Sequence, residues 1–384
     1  MPTVTVSAAD FSRAITAVKS VILGRVAVAI LGCVVITCSD GKMRVAATDM
    51  NSGVASTVPC DGEAYWALPY DRVAAFVSAL PKGKNVTLSG EQLVTLRCGS
   101  VSARIPSMSA ADFPDLHAAR PAPSQRPTFS DGGFVAMMSR LIVCCEERPG
   151  MPFTNGVGLN ISGTRGRMMA TNGYVLARQD FECDAPCEIS TIIPASAVTR
   201  MASLFEGVSV TVAQTGGLIW VISQNAEFVT KAVDAVMPSF DDATADPSAS
   251  FAVDADSLSR ALAATSRVAD GTMPAIIMRV SPRGSFLAAA SGEGGLMCVP
   301  FDCEPRSEFV ITLAADKLKA FITAHGGETI DVVMCRGVGR IDKPHLQCIG
   351  ANYFGVALPM ADKAADVQAA IEMFSQEHIE AVAA

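Results

Sequence analysis

The sequence predicts an α+β protein of three repeated units, each with two helices packed on antiparallel sheets. The strongest sign is the segment 168–177 (MMATNGYVLA), which reads as a strand, a tight turn and a second strand. Altered copies of this segment lie at 44–49 and 287–292. The copies are about 120 residues apart, a period too long for a solenoid repeat and suited to a whole domain.

Two kinds of helix also recur, in the same order, in each unit. The first helices are predicted around Phe11, Phe134 and Leu258, and Ser7 is the candidate N-cap of the earliest one. The second helices are predicted at 70–80, 195–205 and 314–324, where apolar residues recur three apart. Short alternating runs follow each second helix, so each unit should hold about six to eight strands.

Proline-rich and polar joints separate the units. Residues 113–127 hold several prolines, and residues 238–250 are rich in Asp, Ser and Pro, so both read as linkers. The pattern of the last unit predicts that its core ends near Pro359. The predicted organisation is a first unit at 1–120, a second at 127–244, a third at 250–361 and a helical tail at 362–384.

Length and composition narrow the class of protein. The 384 residues suffice for two or three domains, and the net charge of −8 argues weakly against a coat of nucleic acid without excluding a local basic surface. No apolar run approaches the roughly 20 residues that cross a bilayer. The twelve cysteines are scattered, several in apolar runs, so we expect buried thiols in a reducing compartment. The N-terminus shows no signal-peptide pattern, and we expect a cytoplasmic protein.

Signatures of catalysis and metal binding are scarce in the sequence. The four histidines are dispersed, no Cys/His spacing suits zinc, and no phosphate-binding loop is recognisable. Cys144 and Cys145 could hide a nucleophile, but no His or Asn is placed by the sequence to activate either thiol. We predict no catalytic residue, no cofactor and no metal, and keep a cytoplasmic thiol enzyme as an alternative of another class.

Charges on the predicted helices follow a pattern. Acidic residues such as Asp10 and Asp316 fall in first turns, where the helix dipole favours them, and basic residues lie in the middles and ends. If six helices face one way, an acidic protein would present one basic face, which suits a phosphate backbone without reading base sequence. The alternative is that the basic residues only complement the helix dipoles.

With these features assembled, the chain resembles the bacterial replicative sliding clamp, the beta subunit of DNA polymerase III, over nearly all of residues 1–360. The motifs that carry the resemblance are GR at 24–25, ILG at 30–32, ATD at 47–49, AADFP at 110–114, NG at 155–156, ATNGYVLA at 170–177 and VALPM at 356–360. Each motif is weak alone, whereas their order and spacing are specific. The resemblance implies three DNA-clamp domains per chain, paired head to tail with a second chain in a ring around double-stranded DNA.

The resemblance also implies which residues meet DNA. Arg13, Arg25 and Arg200 would lie toward the duplex, and Phe153 occupies a position where the family often has an aromatic residue near DNA. Such a ring slides because screened phosphate contacts exchange without reading the sequence.

The homodimer interface implied by the resemblance joins the strand 101–105 to the helix end around Arg267. Its candidate residues are Ala103, Ile105 and Val268. Ala103 is small where a large apolar residue is common in the family, so the stability of the ring could differ.

The family binds a short peptide from polymerases and loaders in an apolar pocket between its second and third domains. The corresponding residues of this chain are Thr171, Gly173, Tyr174, Val175, Leu176, Pro238, Val356, Leu358, Pro359 and Met360. The alternative for each is ordinary packing at a strand end. The implied partners are the DNA polymerase III catalytic subunit, the clamp loader and other proteins with the clamp-binding motif, with no membrane partner.

Two departures from the family bear on this pocket. Tyr174 and Val175 replace the usual His-Arg pair, and residues 239–243 (SFDDA) stand where basic residues are usual. They keep open a diverged clamp paralogue that encircles DNA and recruits different partners.

The tail continues past the point where the family normally stops. Residues 368–374 (QAAIEMF) have the form Gln-x-x-aliphatic-x-Met-Phe, which resembles the peptide that such clamps bind. One hypothesis is that the tail docks in its own pocket or a neighbour's and competes with partners. The alternative is an amphipathic helix packed on the surface.

Overall fold

The computed structural model describes residues 1–22, 28–121, 126–130, 132–240, 247–271, 274–293, 295–336, 344–360, 369–370 and 372–373. Within them, three consecutive units each have a strand, a helix, a further set of strands, a second helix and three more strands. The α+β class predicted from the sequence is confirmed.

The elements are numbered in chain order. The first unit holds β1 (Thr3–Ser7), α1 (Ala8–Ala17), β2 (Cys33–Ser39), β3 (Lys42–Thr48), β4 (Ser52–Pro59), β5 (Ala64–Pro69), α2 (Tyr70–Ser78), β6 (Asn85–Ser89), β7 (Leu93–Cys98) and β8 (Val101–Pro106). The second holds β9 (Thr128–Phe129), α3 (Gly133–Leu141), β10 (Gly156–Thr171), β11 (Val175–Pro194), α4 (Ala195–Leu204), β12 (Val210–Thr215), β13 (Leu218–Ile222) and β14 (Ala226–Lys231). The third holds β15 (Pro247–Asp254), α5 (Ala255–Thr265), β16 (Ala275–Val280), β17 (Phe286–Ala290), β18 (Leu296–Pro300), β19 (Cys303–Pro305), β20 (Phe309–Ala314), α6 (Ala315–His325), β21 (Thr329–Cys335), β22 (His345–Ile349) and β23 (Tyr353–Ala357).

Local sequence signals explain where the helices begin and end. Ser7 caps α1 as predicted, because its hydroxyl oxygen accepts from the backbone N–H of Asp10 at 3.0 Å. Asp254 caps α5 in the same way, accepting from the N–H of Ser257 at 2.6 Å. Helix α6 ends at Gly326, whose φ of +66° is the left-handed conformation that glycine adopts without a Cβ penalty.

Two of the four sheets run across unit boundaries. An eight-stranded sheet has the order β5-β2-β3-β4-β14-β13-β12-β9, so that β4 of the first unit pairs with β14 of the second. A seven-stranded sheet has the order β10-β11-β23-β22-β21-β15-β19, so that β11 of the second unit pairs with β23 of the third. The remaining two sheets have four strands each. One, in the first unit, has the order β1-β6-β7-β8, and the other, in the third unit, has the order β18-β17-β16-β20.

The helices cover the inner faces of these sheets and share one apolar core that continues from unit to unit. Each unit packs its two helices against each other. Phe11, Phe134 and Leu258, the centres of the predicted first helices, are all buried in this core. The alternating strand patterns put one set of apolar side chains on the face that meets the helices.

The structure corrects one boundary of the sequence analysis. Strand β15 begins at Pro247, inside the predicted linker 238–250, because it pairs with β21 over its full length. Within the described residues the third unit also has nine strands rather than six to eight, because Cys303–Pro305 forms a short separate strand against β15.

All twelve cysteines lie in the described ranges, and none forms a disulfide. Most are buried, which confirms the expectation of buried thiols. In the same ranges no group of three or more His, Cys, Asp and Glu side chains could hold a metal ion. Of the helices that the structure describes, none has the length and apolar character to cross a membrane.

The described part of the tail packs on the third unit. Ala369–Ala370 and Glu372–Met373 are helical, and Ala370 is fully buried beside Ile277, Phe286 and Ala288. Docking in the chain's own pocket is therefore wrong for these residues, and surface packing is the arrangement observed. Gln368, Ile371 and Phe374 of the peptide-like motif lie outside the described residues.

Candidate functional site

The repeated turn builds both boundaries between units. In the first unit the Thr48 hydroxyl donates to the Ser52 carbonyl at 2.9 Å, and the Asp49 carboxylate accepts from the N–H of Ser52 at 2.7 Å. In the second unit the Thr171 hydroxyl donates to the Val175 carbonyl at 2.8 Å, while the Asn172 side chain takes the place of Asp49. The strand that follows each turn, β4 or β11, pairs with a strand of the next unit.

The second boundary carries an apolar cluster beside the β11–β23 pair. Its buried members are Met169, Leu176, Phe354 and Val356, and its half-buried members are Met237, Phe240 and Leu358. Leu176 stands opposite Val356 in the strand pairing. The cluster therefore draws on the second unit, the segment after it and the last strand of the third unit.

A groove of about 1320 Å³ adjoins this cluster. Its apolar side includes Met169, Met237, Pro238 and Phe240, and its charged side includes Arg165, Arg167, Arg178, Asp180 and Glu182. The Arg178 guanidinium stacks on the Phe354 ring with 5.1 Å between its carbon and the ring centroid. A groove with one apolar and one charged side suits a peptide that carries apolar anchors beside polar groups.

Tyr174 sits at the tip of the repeated turn, between two cations. The Arg148 guanidinium carbon lies 4.9 Å from its ring centroid, and Lys317 Nζ lies 5.8 Å away. Lys317 also bridges the second and third units, since its ammonium donates to Glu146 at 2.9 Å. Burial alone would lower the pKa of Lys317, but hydrogen bonds to Glu146 and Asp316 raise it above its ordinary value. The ring keeps 39% of its surface exposed, so it can meet a ligand.

The predicted pocket residues do not all face the groove. Leu176, Val356 and Leu358 join the apolar cluster, and Pro238 lines the groove. Thr171 and Gly173 instead build the turn, with the Gly173 N–H donating to the Thr171 hydroxyl at 3.1 Å.

The other predicted pocket residues serve the fold. Val175 is buried in the main core on the opposite face of its strand from Leu176. Pro359 is half-buried at the edge of the third unit, and the Met360 N–H donates to the Thr312 carbonyl at 2.8 Å.

Sequence reasoning missed Met169, Met237, Phe240 and Phe354. Met169 alternates with Met168, which faces the main core, so strand periodicity alone puts Met169 on the outer face. Met237 and Phe240 lie in an irregular segment, where no periodic signal was available.

The predicted DNA-facing residues differ in their surroundings. Arg13 keeps 59% of its side chain exposed and pairs with Asp10 of its own helix at 2.6 Å. Arg200 instead donates to Asp49 of the first unit at 2.6 Å, and only a quarter of its side chain is exposed. Phe153 is half-buried in the short turn Pro152–Asn155, and Arg25 lies outside the described residues.

The predicted interface residues lie in the first and third units. Ala103 and Ile105 belong to β8, the edge of the first four-stranded sheet, but their side chains face the core of their own unit. Their strand can therefore offer a partner its backbone groups rather than these side chains. Val268 is half-buried in the turn after α5.

The two candidate nucleophiles lie inside the protein. Burial raises the pKa of the Cys144 thiol well above its ordinary value and that of Cys145 to about 12. Both thiols are therefore protonated at neutral pH, which disfavours them as nucleophiles.

Comparison with known proteins gives a consistent result. The family described as DNA polymerase III beta subunit, N-terminal domain, matches residues 3–117. The fold is similar to that of a sliding clamp (DNA polymerase III subunit beta) from Pseudomonas aeruginosa, at 16% identity, with 94% of this chain and 100% of that chain covered and a TM-score of 0.84.

Two further solved structures match over the same share of this chain, 94%. They are the DNA polymerase sliding clamp from Bacillus subtilis, at 15% identity, 99% of that chain and a TM-score of 0.84, and the DNA polymerase III beta subunit from Thermotoga maritima, at 20% identity, 100% of that chain and a TM-score of 0.80. The chain therefore has the fold of the DNA polymerase III beta-subunit sliding clamps, and residues 3–117 carry the match to that family's N-terminal domain.

Proposed function

We propose that this protein is a sliding clamp: two copies close a ring around double-stranded DNA and tether the replicative polymerase for processive synthesis. The observation that carries the proposal is the way the units join. Each internal boundary is a continuous sheet, made by β4 with β14 and by β11 with β23. In the repeat, β18 corresponds to β4 and β11, and β8 corresponds to β14 and β23. Both β8, in the first unit, and β18, in the third unit, are edge strands of their sheets. Strand β8 of one copy can therefore pair with β18 of another, as β14 pairs with β4 and β23 with β11.

The internal boundaries also predict the register of the interface between copies. Ala103, Phe228 and Gly355 hold the same place in the three units, since each lies opposite the equivalent residue of the preceding strand. Phe228 pairs with Val54 and Gly355 with Ala177 across the boundaries, and Met297 is their counterpart in β18. Ala103 should therefore stand opposite Met297 of the other copy.

One step along this register, Ser102 should stand opposite Cys298 of the other copy. The equivalent internal pairs are Glu227 with Ala55 and Phe354 with Arg178. Each lies two residues along its ladder from a rung with a backbone hydrogen bond of 2.8 Å, from the Thr57 N–H to the Asn225 carbonyl and from the Asp180 N–H to the Asn352 carbonyl. They are hydrogen-bonded rungs, whose Cα atoms lie about 5.5 Å apart in antiparallel sheets. A disulfide fits this distance.

The helices give a second contact between copies. At the internal boundary, α6 packs on the turn Ile142–Cys144, and Lys317 meets Glu146. Arg72 of α2 corresponds to Lys317, and Asp270 corresponds to Glu146. Val268, which corresponds to Cys144, would then lie against α2 of the other copy. This supports the interface position that the resemblance implied for Val268.

The helix face suits a ring that slides on DNA. Well-exposed basic residues on the helices and the turns after them are Arg13, Lys19, Arg72, Arg260, Arg267 and Lys319. Exposed cations of this kind contact phosphates through screened interactions that exchange quickly and depend on salt. Arg200, already paired with Asp49, would contribute less than the resemblance implied.

The groove beside Leu176, Val356 and Leu358 is the proposed site for partner peptides. Its apolar cluster supports binding of the DNA polymerase III catalytic subunit, the clamp loader and other proteins with the clamp-binding motif. Phe240 packs on this cluster from the chain itself, which favours partners with altered anchors and keeps the diverged paralogue as the second candidate. The proposal includes no catalytic role and places the protein in the cytoplasm, where such a ring meets DNA.

The test is topological. Ser102→Cys should form a disulfide with the native Cys298 of the other copy and give covalent dimers on mild oxidation. Oxidised in the presence of plasmid, these rings should stay on circular DNA in SDS and leave it once the plasmid is linearised. Arg104→Cys is the matched control, because it lies diagonal to Cys298, about 7–8 Å away. A monomer by light scattering, or equal retention on circles and linear DNA, would refute the proposal.

A further inference from the structure

The outer face of the sheet β18-β17-β16-β20 is apolar. Ile277, Phe286, Ala288, Leu296, Cys298 and Val310 all point away from the helices and form one cluster. Phe286 and Ala288 are fully buried although this face lies on the outside of the unit. By contrast, Arg97, Ser102 and Arg104 are exposed on the outer face of the first unit's terminal sheet.

The C-terminal tail contributes to this cluster. Ala370 is fully buried there, whereas the adjacent Ala369 is exposed. The Ala370 carbonyl lies 3.7 Å from Sγ of Cys298, on the edge strand β18. The tail thus reaches the far edge of the sheet from β20, where the Met360 N–H donates to the Thr312 carbonyl. The intervening residues can extend to about 28 Å, and three strand spacings amount to about 14 Å.

The same arrangement follows each of the other two units. The Met108 N–H donates to the Ala67 carbonyl at 2.9 Å, and the Val233 N–H donates to the Ile192 carbonyl at 2.9 Å. These donors and acceptors are the counterparts of Met360 and Thr312, because Pro69, Pro194 and Ala314 all directly precede the second helix of their unit. Each unit is therefore followed by a segment that begins on its own sheet in the same way.

Each of these segments then covers the outer face at an equivalent position. In the first unit, Ala110 and Phe113 pack in a cluster with Val35. In the second, the Met237 side chain lies over Gly158, 3.0 Å from where a Cβ would be. Ile277, which packs with Ala370, is the third counterpart, since it pairs with Thr312 as Val35 pairs with Ala67. The tail occupies the place that a linker occupies in the other units.

We infer that the outer face of the third unit's sheet is a docking site for a short amphipathic helix, and that the chain's own C-terminal tail is its resident occupant. The tail is the third copy of a covering segment that follows every unit. Its described residues bury one alanine against β16, β17 and β18 and belong to a different cluster from the one beside the partner groove. This inference stands independently of the proposed function, because it uses contacts within one chain.

Substitutions in the full-length chain test the docked tail. Ala370→Glu places a charge in the buried position and should release the tail, so that Cys298 is alkylated about tenfold faster through local opening. Alkylation is followed by peptide mass spectrometry, which resolves Cys298 from the other cysteines. Ala369→Glu is the matched control and should leave the rate unchanged, since Ala369 is exposed. Equal rates in the two variants would overturn the inference.

A second experiment locates the site with the tail supplied as a separate molecule. A chain ending at Met360 should bind a synthetic peptide of residues 361–384, and the peptide with Ala370→Glu should bind at least tenfold more weakly. Ile277→Thr, on the outer face, should weaken binding, whereas Leu358→Ala, at the partner groove, should not. Loss of binding with Leu358→Ala alone would place the tail in the groove, and no binding by a folded truncated chain would show no site; either result overturns the inference. If the truncated chain does not fold, the Ala370→Glu comparison decides.

Discussion

Arg200 of the second unit donates to the carboxylate of Asp49 in the first unit across 2.6 Å. Asp49 is almost fully buried and uses its other oxygen to hold the turn before β4. The pair therefore fastens α4 to the strand edge on which the first boundary is built. The same basic residue would be assigned to DNA if only its helix were considered.

The main effect of Arg200→Ala should accordingly be a lower free energy of unfolding, with a smaller effect on retention on DNA. We expect a loss of about 1–3 kcal/mol in the free energy of unfolding, because Asp49 stays buried without its cation. Urea unfolding measures the change. Arg13→Ala is the control: its pair is within one helix and mostly exposed, so its effect should stay within about 0.5 kcal/mol. A larger loss for Arg13→Ala would contradict this assignment.

A charge exchange tests the interface between copies. Arg72→Glu should raise the dimer dissociation constant roughly tenfold, because repulsion from Asp270 acts at both interfaces of the ring, each worth about 0.5–1 kcal/mol. Arg72→Glu combined with Asp270→Arg should recover part of the loss, measured by analytical ultracentrifugation. Lys82→Glu changes the same charge at an exposed site after α2 and should have little effect. Absence of recovery in the double variant would place the two residues apart.

The partner groove can be tested with a peptide that carries Leu and Phe anchors. Leu358→Ala should weaken its binding about tenfold, since truncating an apolar anchor site costs about 1–3 kcal/mol. Ile349→Ala, an exposed aliphatic residue of the same unit, serves as the control and should bind normally. Fluorescence anisotropy with a labelled peptide gives both constants. Normal binding by the Leu358 variant would exclude the cluster as the site.

The first boundary should also respond to pH through His117. Burial lowers the pKa of His117 despite the nearby Glu227, whose Oε2 lies 3.4 Å from Nδ1. Below its ordinary pKa of about 6.5, the unfolded state then binds a proton that the folded state resists, so stability falls as pH falls. We expect the melting temperature to drop between pH 7.5 and 5.5.

The melting temperature of the His117→Gln variant should drop less than that of the parent protein over the same pH range. His325, whose pKa burial also lowers, remains in both proteins, so the comparison isolates His117. An equal drop in the two proteins would assign the acid sensitivity to other groups.

The turn at Thr171 shows what the sequence could establish. Its Thr-Asn-Gly pattern and its spacing from Thr48 identified the repeat of whole units, because a local turn leaves a local signal. The pairing of Val175 with Ala357 has no such local signal in the sequence, because nothing near either residue specifies a partner so distant along the chain. Phe240 and Ala370 were missed as contacts for the same reason: their burial depends on sheets assembled elsewhere.

The two unlike edges, β8 and β18, also govern what assembly can result. A contact between different surfaces of identical chains closes on itself only if the rotation from unit to unit completes a full turn, and otherwise it grows into an open helical filament. That rotation is already set inside one chain by the pairs β4–β14 and β11–β23. In the proposed ring, the diameter is thus set within each subunit before two subunits meet.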